Sequence, residues 1–352
     1  MTDDRIRWRL LEDGIRDPFR HFAIEEALLR AVDEGRSPDT LRLRRADRSV
    51  WIGVYQVPEE DVDLAWCAER GVPVVRRHNP GGAVYQDEGG FCFSAVFRRE
   101  ATFRRLGIGS PDELYARVGA AIVAACAEFG LRAEVSPVND VTVGGRKIYG
   151  SAQVDWYASF VHSGSFLVST DVGAMARALR PSALKFADKG FSDVRGRVIT
   201  LQEAAGRPVP VATAMEVVTR HLATAFRVEL QPGPLLPHEV AAAEELLEAK
   251  YGRREWTFRP RAERTTVVAT KARSGVVALE AAFDGSVLRD VGVTGDFLVP
   301  DPRELDRWIA GARGRTTEEA AGLAQGSRLP ADVREALARL LRMAEESDGG
   351  QG

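Results

Sequence analysis

Gly144 and Gly145 stand between Val141-Thr142-Val143 and Arg146-Lys147-Ile148-Tyr149, the pattern of two strands joined by a two-residue turn. Such a turn needs positive φ at its central residues, which glycine adopts without a Cβ clash. Lys147 is thereby fixed on a strand beside a tight turn rather than on a mobile loop. Farther on, Thr266 to Arg273, Val276 to Phe283 and Val287 to Val293 are separated by Ser274-Gly275 and Asp284-Gly285, the layout of a three-strand meander.

Helices are marked by caps as well as by period. Ser110-Pro111-Asp112-Glu113 is a capping box with proline at the first helical position. Behind it Leu114, Val118, Ile122, Ala125 and Phe129 recur at three-to-four spacing, and Gly130 can end the helix. Asp301-Pro302-Arg303-Glu304 repeats the start signal for a helix over 302 to 312, and further helices are expected near 21 to 33 and 213 to 227.

These elements predict an α+β chain: a large domain of mixed and antiparallel sheet packed with helices, plus a small C-terminal α+β domain. A length of 352 residues supports two domains. The expected boundaries are 1–252 for the large domain, 253–264 for an arginine-rich linker with Trp256 and Pro260, 265–347 for the small C-terminal domain and 348–352 for a disordered tail.

A formal charge of −3 gives no global basic field, so nucleic acid is not an expected partner and anion recognition must be local. No apolar run is long enough to span a membrane, and Met1-Thr2-Asp3-Asp4-Arg5 lacks the order of a signal peptide, so a cytoplasmic location is expected. Cys67, Cys92 and Cys126 are odd in number and widely separated, which fits neither a disulfide framework nor a Cys-x-x-Cys metal site.

Two segments carry chemistry. In Arg76-Arg77-His78-Asn79-Pro80-Gly81-Gly82-Ala83-Val84-Tyr85-Gln86-Asp87, paired arginines enter a glycine-bearing turn, a pattern that offers guanidinium forks and bare amides to phosphate oxygens. A surface turn with solvated arginines has the same composition. In Asn139 to Gln153, Lys147 on a strand between small residues can hold a compact positive charge where an anion develops. A solvated edge lysine is the plainer alternative.

Together the two segments resemble the lipoate-protein ligases. The family's Arg-Arg-x-Ser-Gly-Gly-Gly-Ala-Val-aromatic-His-Asp motif is matched by the arginine pair, Gly81 to Val84, Tyr85 and Asp87. Its Asn-Asp…Lys-Ile-x-Gly-(Ser/Asn)-Ala motif is matched from Asn139 through Ala152, with Lys147 at the invariant lysine. Phe22 to Leu29, Ile52 to Gln56, His162 to Leu167, Lys185 to Leu201 and Gly295-Asp296-Phe297 extend the likeness over about residues 8 to 312. Asn79 and Pro80 replace the family's Ser-Gly, Gln86 its usual histidine and Gly90 its usual asparagine. These departures bear on the acyl group more than on the nucleotide chemistry.

The resemblance implies an ATP- and Mg2+-dependent enzyme that forms an acyl-adenylate from lipoate or a medium-chain acid and passes the acyl group to a lysine of a lipoyl domain or H protein. It implies Lys147 as the catalytic residue. Nucleotide contacts would come from Arg77, Gly82, Ala83, Val84, Tyr85, Asn139, Asp140, Lys147, Lys185 and Arg195. Acyl contacts would come from Arg76, Gly81, Gly82, Lys147, Gly150, Ser151 and His162, with Val74, Val84 and Phe166 as candidates for an apolar slot. No metal ligand is singled out. A protein-to-protein octanoyl or lipoyl transferase would instead need an activated thiolate, a non-catalytic carrier-binding relative would not need Lys147, and biotin ligase is disfavoured by the absence of its Gly-Arg-Gly-Arg loop.

Overall fold

The computed structural model describes residues 6–181, 184, 194–261 and 265–349. Its strands are β1 (Ile6–Glu12), β2 (Thr40–Arg44), β3 (Ser49–Ile52), β4 (Val74–Arg76), β5 (Val84–Gln86), β6 (Gly90–Arg98), β7 (Ala133–Ser136), β8 (Asp140–Val143), β9 (Arg146–Trp156), β10 (Ser159–Leu167), β11 (Val228–Pro232), β12 (Thr266–Ala272), β13 (Gly275–Asp284) and β14 (Val287–Gly295). A mixed sheet runs in the order β11-β1-β2-β6-β10-β9-β8-β7, and β4-β3-β5 form a small second sheet. The predicted meander is the separate sheet β12-β13-β14.

Period-two patterning on β6 explains the layers. Phe91, Phe93, Ala95 and Phe97 enter the core beneath helices Pro111–Glu128 and Val211–Phe226, while Cys92 and Val96 join the core under helix Pro18–Asp33. The last of these helices begins earlier than its apolar period suggests. Asp17 caps it by accepting from the Phe19 amide, and Pro18 takes the first turn, where its missing N–H costs nothing.

The C-terminal sheet packs against helices Pro302–Ala312, Thr317–Gly326 and Ala331–Gly349. The last helix carries residue 348, so Asp348 is helical rather than part of an unordered tail; its carboxylate accepts from the Thr265 hydroxyl. Val54 and Tyr55 from the large part enter this C-terminal core. Tyr55 stacks on Phe297 with ring centroids 5.3 Å apart and donates its hydroxyl to the Pro302 carbonyl. The expected linker contains the short helix Arg254–Thr257, and Arg259 lies over the Trp256 ring.

Candidate active site

The β8–β9 hairpin forms as its glycine pair requires, with φ of 56° at Gly144 and 75° at Gly145. Its register contains an irregularity: Val141 faces Tyr149, but Thr142 faces Lys147 rather than Ile148. The extra residue is a bulge, and it changes which side chains share a face. Ile148 and Tyr149 both enter the core, whereas Lys147 and Gly150, three residues apart, both line a cavity of about 320 Å³. That volume lies in the range of small-ligand sites.

The floor of the cavity is a single row across five strands. Asp140 faces Gly150, Gly150 faces Ser165, Ser165 faces Cys92, and Cys92 faces Arg44; all five line the cavity. Lys147 Nζ pairs with Asp140 Oδ1 at 2.6 Å, and a Cβ on Gly150 would overlap its ammonium. Glycine at 150 therefore makes room for the lysine head. Asn139 and Ser151 brace the hairpin mutually: the Asn139 amide donates to the Ser151 carbonyl, and the Ser151 amide and hydroxyl donate to the Asn139 carbonyl.

The loop from Arg77 to Val84 covers the floor, and the C-terminal hairpin adds Lys271, Arg273 and Ser274 to the wall. Gly81, at φ of 100°, donates its amide to the Phe297 carbonyl, tying the loop to the C-terminal unit. Of the residues expected in the site, Arg77, Gly81, Gly82, Ala83, Val84, Tyr85, Asn139, Asp140, Lys147, Gly150 and Ser151 line this one cavity.

Other expectations need correction. Arg76 does not line the cavity; its guanidinium donates to the carbonyls of Gly53, Val54, Gln56, Trp256 and Thr257. Arg77 does line it, yet donates to Trp51, Pro80 and Gly82 carbonyls. Burial lowers both guanidinium pKa values, to about 9 and about 10, so they remain charged at neutral pH while holding backbone. His162 is buried behind the site, between the Tyr149 hydroxyl and the Gln153 amide, and burial lowers its pKa to about 3. It is a neutral core histidine here, and Val74 and Phe166 likewise pack into cores rather than line the cavity. Arg195 is exposed and not in the wall, whereas Val194 and Arg197 are; Lys185 lies outside the described residues.

Sequence reading missed Arg44, Asn79 as a lining residue, and the buried pair beneath them. Arg44 Nη2 lies 3.1 Å from Glu25, whose other oxygen is 3.4 Å from His78 Nε2. Burial raises the Glu25 carboxyl, but Arg44, His78 and the Ser94 hydroxyl outweigh it and hold the pKa below the usual range. The available signal was Arg42 and Arg44 alternating with Leu41 and Leu43 on one strand, which puts two charges on one face of a buried sheet.

All three thiols are buried, and burial raises their pKa, to about 11 for Cys67 and about 12 for Cys126, with Cys92 also raised. Cys92 nevertheless belongs to the cavity floor and donates weakly to Gln86 Oε1. Among the described residues no cluster of three or more His, Cys, Asp or Glu could hold a metal ion alone, and no helix is long and apolar enough to cross a membrane.

Known proteins resemble this chain in sequence and in fold. The model of the lipoyl protein ligase A/B catalytic domain matches residues 17–223, over half of the chain. The octanoyltransferase LipM of Symbiobacterium thermophilum is 32% identical over 276 residues, covering 72% of this chain and 98% of that protein. The bi-partite lipoate protein ligase of Thermoplasma acidophilum, solved in a study that includes its E2 lipoyl domain, superposes with a TM-score of 0.63 at 27% identity, covering 74% of this chain and 100% of that one. P. falciparum LipL1 in complex with lipoate superposes with a TM-score of 0.73 at 17% identity over 95% of this chain and 99% of its own, a likeness of fold. With its hairpin lysine, glycine loop and mixed sheet in one cavity, the chain belongs to the lipoyl protein ligase A/B catalytic domain family.

Proposed function

We propose that the chain is an ATP-dependent ligase that activates lipoate or a related medium-chain acid as its adenylate and transfers the acyl group to a lysine of a lipoyl domain or H protein. In the first step a carboxylate oxygen bonds to the α-phosphorus, the bond to the bridging oxygen breaks and pyrophosphate leaves. In the second the acceptor amine attacks the acyl carbon, AMP leaves and the amine loses a proton to solvent.

The observation that carries the reading is the Lys147 ammonium, oriented by Asp140 at one end of a floor row long enough for an acyl chain. A fixed cation there stabilises charge on the α-phosphate and acyl carbonyl without proton transfer. Amides of Gly82 to Tyr85 are suited to phosphate oxygens, and Arg77 fixes their loop rather than spending donors on the nucleotide. Asp140, beside the lysine, is the carboxylate that would help hold magnesium brought in with ATP, an ion that would keep several waters and neutralise phosphate charge. The test is pyrophosphate release with ATP and lipoate, octanoate or biotin. Release with lipoate or octanoate supports the ligase, and its absence with every acid excludes it.

A second reading has its own observation. Cys92 lines the cavity, and a relative is named as an octanoyltransferase. Against it stands the raised thiol pKa, since thioester formation needs a thiolate. A thioester trapped on Cys92 from an octanoylated carrier protein, without ATP, would establish the transferase.

A further inference from the structure

The far end of the cavity is built for hydrogen bonding. From Gly150 to Arg44 the floor crosses three strand spacings, about 14 Å at roughly 4.8 Å each. An extended eight-carbon acid is about 9 Å long with carbon–carbon bonds of about 1.5 Å. With its carboxylate at Lys147, its distal carbon therefore reaches about as far as Cys92, one strand short of Arg44.

Phe22 and Trp51 line the cavity there, with ring centroids 6.0 Å and 5.7 Å from the Arg44 guanidinium. Asn79 is 1% exposed and lines the cavity, yet among the described residues neither its amide nitrogen nor its carbonyl oxygen has a hydrogen-bond partner. Arg44, whose guanidinium lies over the Phe22 and Trp51 rings, likewise leaves Nε and Nη1 without a hydrogen-bond partner among the described residues while Nη2 faces Glu25. Asn79 follows His78, and His78 and Arg44 contact the two oxygens of the same Glu25, which brings the loop next to the strand. A buried amide without partners is costly, and a ligand group that satisfies both atoms recovers that cost. Because Glu25 neutralises Arg44, this end does not call for a second carboxylate; an uncharged oxygen fits its donors and acceptor.

We infer that Asn79, supported by Arg44, is a specificity-determining residue that selects an acid of about eight carbons bearing an uncharged hydroxyl or carbonyl oxygen at its distal end. The inference rests on the reading of this cavity as an acid-activating site. The reaction is otherwise unchanged: the distal oxygen forms hydrogen bonds only.

The experiment compares ω-hydroxyoctanoate with octanoate on the full chain, by pyrophosphate release with ATP and by calorimetric binding without it. The expected preference for the hydroxy acid is roughly ten-fold or more, because a site built to bond a hydroxyl discriminates against its absence. Asn79→Leu should remove or reverse that preference, and Asn79→Ser, which keeps a hydrogen-bonding group, should retain part of it. The ratio is the readout, so a folded variant of lower overall activity still tests the idea. Equal use of the two acids, or an octanoate preference, overturns the inference while leaving the ligase intact. Tighter binding of the hydroxy acid with no pyrophosphate from any acid keeps the inference and removes the ligase; failure to bind or activate either acid overturns both.

Discussion

Lys147 Nζ lies 2.6 Å from Asp140 Oδ1, in space that the missing side chain of Gly150 leaves open. The ammonium is thus held by one residue and admitted by another. Lys147→Ala is expected to reduce pyrophosphate release by about 10²–10³-fold, the usual effect of losing a preorganised charge. The partly exposed ion pair contributes less than about 1 kcal/mol to folding, so the thermal transition should hardly move. A folded mutant with full adenylation would sink the assignment.

Gly150→Ala tests the opening rather than the charge. The new methyl displaces the ammonium from its position, and a displacement near 1 Å can cost about 100-fold in a reaction that depends on alignment. Steady-state kinetics should show kcat for adenylation falling although Lys147 is present. Unchanged kinetics would mean that the lysine works from another position.

Replacing Cys67, Cys92 and Cys126 together by Ser or Ala is expected to leave ATP-dependent ligation largely intact, because burial holds every thiol protonated at neutral pH. Gel-shift assay of an acceptor lipoyl domain provides the readout. Loss of transfer traced to Cys92 alone would favour the thioester route.

The docking of the C-terminal unit predicts an uneven effect on the two half-reactions. Tyr55→Ala removes the ring stacked on Phe297 and the bond to Pro302, beside the amide of Gly81 that holds the covering loop to the same segment. Truncating a buried aromatic costs about 3–5 kcal/mol. Adenylation should fall more than transfer from supplied lipoyl-adenylate. Equal losses in both steps, in a folded variant, would show that docking has no special part in activation.

His162 makes a pH-dependent contribution. Its folded pKa is about 3 against an ordinary 6.5, because burial disfavours the imidazolium. Stability from the neutral ring is therefore complete above about pH 6.5 and is lost as pH falls toward 3, since the unfolded chain takes up the proton first; the total is of order 5 kcal/mol. Urea unfolding of His162→Gln should be weaker at neutral pH but show a shallower decline between pH 6.5 and 3.5. An unchanged slope would assign the acid sensitivity elsewhere, with Glu26, held at about 2 by Lys250 and His78 against burial, as the next residue to test.

Local chemistry in the chain was enough for the elements and for most of the cavity lining. The glycine pair at 144 and 145 made the hairpin, Ser110 and Asp301 started their helices, and the segments at 76–87 and 139–153 supplied the eleven expected residues that line the cavity, Lys147 among them. Those signals are short in range: a turn, a cap or a strand face depends on residues a few positions apart. Partnership was beyond them. Only the fold decided that Asp140, Gly150, Ser165, Cys92 and Arg44 form one row, because register joins strands from distant parts of the chain. The bulge that puts Lys147 and Gly150 on one face overrides the alternation that their spacing implies. The same long-range packing turned Arg76 and Arg77 toward carbonyls and buried His162, since a side chain's donors go to whatever the tertiary structure brings near.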